Sequence, residues 1–235
     1  MISRDLLKLV LTEQKIIIEN KSFGIKREIL DIVKTKKKLP HVVILTGIRR
    51  SGKSTLLKQI IETYYKKDYY YINFEDERLF NFQAQDFNQV YDVLLEIYGE
   101  KKTFFIDEIQ NVDKFELFIR RFYEKGFKFF ITGSNANLLS KEFGTKLTGR
   151  HVNITVKPFS FKEYLIAKNT KIDLYNSENI SLIKQKFNEY LIKGGMPEFV
   201  IFNDPEILIR IYEDIIIKDV SVRYNVDNFQ ILKEL

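Results

Sequence analysis

Cysteine and tryptophan are absent from the 235 residues, histidine occurs only as His41 and His151, and there are four prolines. The lack of cysteine excludes disulfide frameworks, thiolate nucleophiles and cysteine-ligated zinc, and it suits a reducing, cytoplasmic setting. Two histidines cannot build a His-rich metal centre, and a Ser-His-Asp triad would have to draw on one of them. Long apolar runs are missing too. Stretches such as 215–217 span a few residues, and the N-terminal MISRDLLKLV is broken by Arg4, Asp5 and Lys8, so neither a membrane span nor a secretory signal is expected. Charge of one sign is in modest excess: 38 Lys+Arg against 32 Asp+Glu gives +6, which permits an anionic partner without demanding one. What the chain does have is 45% hydrophobic residues, enough to bury the core of one large domain or two modest ones.

The ten glycines fall mostly between periodic segments. Amphipathic helices are expected over 3–19, capped by Ser3, and over 25–36, the second running into a basic stretch before Pro40. HVVILT (41–46) reads as a strand buried on both faces and leads at Gly47 into a loop, followed by a helix from Ser54 to about Lys66. The alternation continues with a strand at 69–73, a helix at 87–98 between Asp86 and Gly99, and a strand at 102–107. A helix from Asp113 to about Lys125 and strands at 127–132 and 151–156 complete it. Strands separated by helices imply right-handed crossovers and a mainly parallel sheet covered on both faces. After Pro158 the spacing is helical throughout: Ser160 and Glu163 form a capping box, 178–193 ends at Gly194 and Gly195, and Asp204-Pro205 opens a helix to about Val220. The expected division is 1–39 as N-terminal helices, 40–157 as the α/β core, 158–220 as a helical lid, and 221–235 as the start of a further C-terminal region. The chain stops at FQILKEL inside an expected helix.

GIRRSGKST, from Gly47 to Thr55, fits G-x-x-x-x-G-K-[ST] after a strand and at the start of a helix. In such a loop backbone N–H groups, including those around Ser51 and Gly52, surround a phosphate. The Lys53 ammonium reaches phosphate oxygens, and Ser54 supplies a hydroxyl to Mg²⁺. Arg49 and Arg50 either touch phosphate or simply hold the loop. FFIDE delivers Asp107 and Glu108 to the carboxyl edge of the sheet, Asp107 toward Mg²⁺ and Glu108 as acceptor of a proton from attacking water. A second acid beside the first argues for water as nucleophile, hence hydrolysis. Thr132, Ser134 and Asn135 end the fourth strand, where they either sense a γ-phosphate or serve as turn and N-cap residues. Asn73 either hydrogen-bonds Glu108 or is a plain turn residue. Arg150, ahead of the fifth strand, is either a finger reaching a neighbouring subunit's γ-phosphate or a surface arginine.

The ordered set GIRRSGKSTLL, YINFEDERL, FFIDEIQ, ITGSNANLL, LTGR, VKPFSFKEYL, YLIKGGMPEFV and IYEDIIIKDVSVRYN resembles a family of AAA-type ATPases common in archaea and bacteria. In that family a P-loop core and helical lid precede a C-terminal domain of unknown function. The resemblance implies a three-layer α/β P-loop core with a five-stranded sheet of order 5-1-4-3-2, followed by the lid. It also implies ATP with Mg²⁺ and the roles above for Gly52, Lys53, Ser54, Thr55, Asp107, Glu108, Ser134 and Arg150. GGMPEF looks like the family's lid turn, though a helix C-cap followed by Pro197 accounts for it equally. DNA is suggested as a partner of relatives, and a homo-oligomer follows if Arg150 acts in trans.

Three functions are therefore weighed. The first is a Mg-dependent ATP hydrolase whose cycle moves the lid or a partner, with DNA as a candidate partner. The second is a nucleotide-dependent signalling switch or DNA-binding module with little turnover, favoured by the want of a convincing second-sensor arginine beyond Arg210 and Arg223. The weakest is a small-molecule kinase, because paired acids suit water activation. The 20 Phe and 13 Tyr, many of them in expected strands, read as core and not as base-stacking platforms.

Overall fold

The computed structural model describes residues 2–133, 149–173 and 175–217. By its internal contacts the chain forms two units. One comprises Met1–Gly24, Ile29–Thr46 and Lys53–Thr155, and the other Ile25–Glu28, Gly47–Gly52 and Val156 onward.

The first unit holds α1 (Arg4–Asn20), α2 (Leu30–Lys36), β1 (Val42–Thr46), α3 (Lys53–Ile60), β2 (Tyr70–Asn73), α4 (Phe87–Tyr98), β3 (Thr103–Asp107), α5 (Phe115–Glu124), β4 (Lys128–Gly133) and β5 (His151–Thr155). The strands form one parallel sheet of order β2-β3-β4-β1-β5, the expected 5-1-4-3-2 arrangement read from the other edge. β1 and β3 are buried at every residue, as a parallel strand covered on both faces requires. On one face Ile44, Ile72, Phe104, Ile106 and Phe129 pack with Leu7 and Leu11 of α1, Val90 and Leu94 of α4, and Phe118 and Phe122 of α5. On the other, α3 buries Leu56, Leu57 and Ile60. Register sets two phenylalanine pairs side by side, Phe104 with Phe129 and Phe105 with Phe130, stacked at 5.4 and 4.8 Å. Such a pair adds about 0.5–1.5 kcal/mol beyond its buried area.

Several helix limits differ from expectation for local reasons. α3 ends at Ile60 and passes into a π turn over Ile61–Tyr65, which brings the Tyr65 ring edge-on to Phe105 and Phe130 at 5.2 and 5.4 Å. Asp86 does not cap α4 with its side chain; its carboxylate accepts from the Gln83 N–H at 3.0 Å and closes the preceding 3₁₀ turn. α5 starts after Lys114, which is left-handed at φ 57, and not at Asp113.

In the second unit lie α6 (Phe161–Ala167), α7 (Ser177–Lys193), α8 (Pro197–Phe202) and α9 (Pro205–Asp214). The expected capping box opens α6. The Ser160 hydroxyl accepts from the Glu163 N–H at 3.2 Å, and the Glu163 carboxylate accepts from the Ser160 N–H at 2.9 Å. Asn176 and Asp204 cap α7 and α9, and Pro197 and Pro205 open the two helices they start. The core is small: Phe159, Tyr164 and Val200, with Ile25, Phe161, Ala167 and Tyr190 packed against them. Ile25 explains why the expected helix over 25–36 is cut to α2. Residues 25–28 leave the helix to serve this cluster. α9 ends at Asp214, and Val220 lies outside the described residues. Among the described residues no helix is long and apolar enough to cross a membrane.

Candidate functional site

Gly47–Gly52, the stretch between β1 and α3 in sequence, has a backbone that only glycine tolerates at both ends. Gly47 adopts φ 154, and a Cβ there would lie 2.3 Å from the Val156 carbonyl oxygen. Gly52 adopts φ 96, and its Cβ would meet the Arg27 guanidinium at 2.9 Å. Ser51 is fully buried, and its N–H donates to the Ile48 carbonyl at 3.2 Å. Arg50 takes the left-handed φ of 59. Its guanidinium donates to Glu198 of α8 at 2.7 Å and lies 3.6 Å from Asp214 of α9, which together hold it firmly protonated. The GGMPEF turn thus supplies, through Glu198, a carboxylate for a loop arginine. Sequence reasoning did not see that role. Arg49 is half-buried.

In the first unit, Ser54 and Thr55 stand in the first turn of α3, and Lys53 opens it with only 5% of its side chain exposed. The Lys53 ammonium is 4.0 Å from the Glu108 carboxylate. Glu108 follows the last residue of β3 and is itself left-handed, φ 51, so the chain turns sharply there and aims the side chain back over the sheet edge. The Gln110 amide donates to the other Glu108 oxygen, and the Glu108 N–H donates to the Thr132 hydroxyl at 3.0 Å. Burial pushes the Glu108 carboxyl above its ordinary value, more than Lys53 and Gln110 pull it down; Asp107 and Glu75 push it further up.

Asp107 is 3% exposed and held from two sides. The Thr132 hydroxyl donates to one oxygen, and the Tyr71 hydroxyl, whose own pKa burial drives well up, donates to the other at 3.4 Å. Strand register accounts for this, since β4 places Thr132 beside Asp107 at the carboxyl edge, where parallel α/β sheets bind ligands. An ionised carboxylate has about four lone-pair positions, so Asp107 retains acceptor capacity. The Ser54 hydroxyl and this carboxylate are hard oxygen donors of the kind that would hold Mg²⁺ arriving with phosphate, an ion that keeps most of its waters. The residues therefore fit the metal.

Asn73 does not reach Glu108. Its side-chain oxygen accepts from the Glu75 N–H at 3.0 Å, and its backbone is paired with the Gln14 amide on both sides at 2.9 Å. It ends β2 with its side chain closing the turn that follows, and the amide on Glu108 belongs to Gln110 instead. Arg150 precedes β5 at the amino edge of the sheet, where its carbonyl accepts from the Val42 N–H at 2.9 Å. Its guanidinium is 3.4 Å from Glu124 and over the Tyr123 ring. It sits one full length of β1 from the carboxyl edge, about 16 Å away at ~3.3 Å per residue. Arg210 pairs with Glu206 on its own helix at 2.9 Å. Ser134, Asn135 and Arg223 lie outside the described residues. Tyr71 and Gln110 join the site beyond the residues singled out from sequence, while Thr132, named there at the end of the fourth strand, binds Asp107 and the Glu108 backbone. Gln110 had a signal, lying two residues after Glu108 on a turn, whereas Tyr71 looked like any strand aromatic.

A family model described as AAA domain matches residues 39–165. Among curated proteins, MJ1544 of Methanocaldococcus jannaschii is 37% identical over 229 residues, covering 94% of this chain and 52% of that protein. A Haemophilus influenzae protein is 35% identical over 212 residues, covering 85% of this chain and 51% of that one. The chain spans about half the length of these relatives. Two solved structures are also similar. Domain III of the replication initiation protein DnaA from Thermotoga maritima has TM-score 0.40 and 14% identity, covering 62% of this chain and 69% of that one. The Aeropyrum pernix ORC1 protein, in a complex with DNA, has TM-score 0.45 and 10% identity, covering 65% and 52%. Because the family match runs from just before β1 into α6, and so takes in the phosphate-loop motif and all five strands, the chain belongs to the AAA domain family as an AAA-type P-loop ATPase.

Proposed function

We propose that the chain binds ATP with Mg²⁺ and hydrolyses it, with Glu108 as general base and Lys53 as the phosphate-binding cation. The observation that carries this is the 4.0 Å approach of Lys53 to Glu108 at the carboxyl edge of the sheet. ATP phosphates compete with Glu108 for the Lys53 ammonium. Once Lys53 turns to phosphate, Glu108 loses the charge that most lowers its pKa and becomes a stronger base. Glu108 then takes a proton from a water whose oxygen bonds to the γ-phosphorus as the bond to the bridging oxygen breaks, releasing ADP and phosphate. Mg²⁺, held by Ser54 and Asp107, would offset charge developing on the phosphate oxygens. Gly47, Arg49, Ser51, Gly52 and Thr55 complete the proposed phosphate cradle. Ser134 and Asn135 are proposed as γ-phosphate sensors on position in sequence alone. Arg50, tied to Glu198 and Asp214, offers a route from loop to α8 and α9, since a bound triphosphate competes with those carboxylates for it.

The second reading, a nucleotide switch with little turnover, is favoured by one observation. In this state both Glu108 oxygens are engaged, one facing Lys53 and one accepting from Gln110. The test is phosphate release from Mg·ATP, with and without double-stranded DNA, across the acid range. Only ionised Glu108 accepts a proton, and burial raises its pKa, so the rate should fall with falling pH already above the ordinary carboxylate range. A rate flat into that range removes Glu108 as the base, and no release under any condition leaves only the switch.

Arg150 lies too far from the carboxyl edge to act in its own subunit, so we propose it acts only in trans. Arg150→Ala subunits mixed with Lys53→Ala subunits should regain part of the turnover that each lacks alone. Unchanged turnover by Arg150→Ala on its own would remove the finger.

A further inference from the structure

Arg27 has no part in the motif reading, yet it is the most engaged cation beside the loop. Only 4% exposed, it uses all three of its nitrogens. Nε donates to Glu163 at 3.0 Å, Nη1 to the Ser51 carbonyl at 2.9 Å and Nη2 to the Lys157 carbonyl at 2.6 Å. The guanidinium also lies 5.2 Å from the centre of the Phe159 ring. Glu163 accepts in addition from the Glu28 N–H at 2.7 Å and closes the α6 capping box, so the partner of Arg27 is fixed by the start of a helix.

A trans peptide is planar, with its C=O and N–H pointing in opposite directions, and the described peptides include no cis bond. Holding the Ser51 carbonyl toward Arg27 therefore turns the Gly52 N–H away from it. The guanidinium also occupies the space into which a side chain at position 52 would project, which together with the φ of 96 restricts that position to glycine. We infer that Arg27 is a positioning residue for the phosphate loop, setting the Ser51–Gly52 peptide so that the Gly52 N–H is presented to phosphate, with Glu163 fixing Arg27 in turn. This rests on the proposed ATP-binding reading. Lysine cannot replace it, because a single ammonium cannot span three acceptors in the guanidinium plane.

The experiment measures affinity for Mg²⁺ with a non-hydrolysable ATP analogue in the native chain, Arg27→Lys and Glu163→Gln, together with the Gly52 amide resonance by ¹⁵N–¹H NMR. Arg27→Lys should bind about 10- to 100-fold more weakly, the equivalent of one charge-assisted hydrogen bond. The downfield displacement of the Gly52 amide on binding, present in the native chain, should be lost or much reduced. A merely structural role would lower thermal stability without moving that one resonance. Glu163→Gln keeps Arg27 and should show an intermediate displacement, so it decides the matter if Arg27→Lys fails to fold. Native binding with variants within about threefold of it, or an unchanged Gly52 displacement, overturns this inference alone. A native chain that binds no nucleotide overturns the ATP-binding reading as well.

Discussion

Replacing Glu108 by glutamine is expected to lower ATP turnover by about 10²- to 10⁴-fold while leaving nucleotide affinity within a few-fold of native, the span that loss of a general base covers. Glutamine keeps the volume and a hydrogen-bonding end, so the fold around it should hold. Its amide can still meet Gln110, and Thr132 receives a hydrogen bond from the backbone N–H at position 108, which the substitution does not touch. What is lost is the group that can take a proton. Burial raises the Glu108 pKa, with Asp107 and Glu75 adding to the effect, so its carboxylate is a better proton acceptor than an exposed one. Burst and steady-state phosphate release, with affinity measured separately by a fluorescent ATP analogue, distinguishes the two effects. Equal loss of affinity and turnover would mean that Glu108 shapes the nucleotide site instead of acting on water.

The sheet was legible because its strands are apolar and β-branched or aromatic on both faces, bounded by Gly47, Gly99 and Gly126, and each strand lies within a residue or so of expectation. The loop motif was legible because its spacing is a covalent property that needs no tertiary context. Residues 25–28 were not. Their pattern extends that of α2, and the gain that pulls them out of a helix, Ile25 in an apolar cluster and Arg27 on three acceptors, comes mostly from residues more than 100 positions away, Ser51 being the nearer exception. Asn73 and Gln110 show the same limit at smaller scale. Both are amides at the carboxyl edge of the sheet, and which one reaches Glu108 depends on the left-handed turn at Glu108 itself. That turn folds Gln110 back onto Glu108, while Asn73 closes the short turn to Glu75 that its side chain favours. Arg150 was readable either as a finger for a neighbouring subunit or as a surface arginine, but its place in the sheet was not. Only the β1–β5 register, Val42 opposite His151, places it at the amino edge of the sheet.

Substituting alanine for Lys53 should be the more damaging change, because two losses coincide. The ammonium is withdrawn from the phosphates, where a charge-assisted contact in a poorly solvated site is worth about 1.5–3 kcal/mol per hydrogen bond; two such bonds correspond to roughly 10² or more in affinity. The second loss falls on Glu108. Lys53 is the largest influence holding its pKa down, and without it the phosphate charge also stands uncompensated beside Glu108, so the carboxyl rises further and its protonation begins at a higher pH than in the native chain. A protonated Glu108 cannot accept from water, so the little ATP still bound should turn over more slowly as pH falls, and from a higher pH than in the native chain. Turnover of Lys53→Ala at saturating ATP should therefore recover as pH is raised, while its weakened affinity should not. Titration of binding and of saturated rate against pH separates the two. Native affinity in this variant would show that the loop has been misread. A saturated rate indifferent to pH would show that Lys53 and Glu108, although 4.0 Å apart, do not influence each other in the bound state.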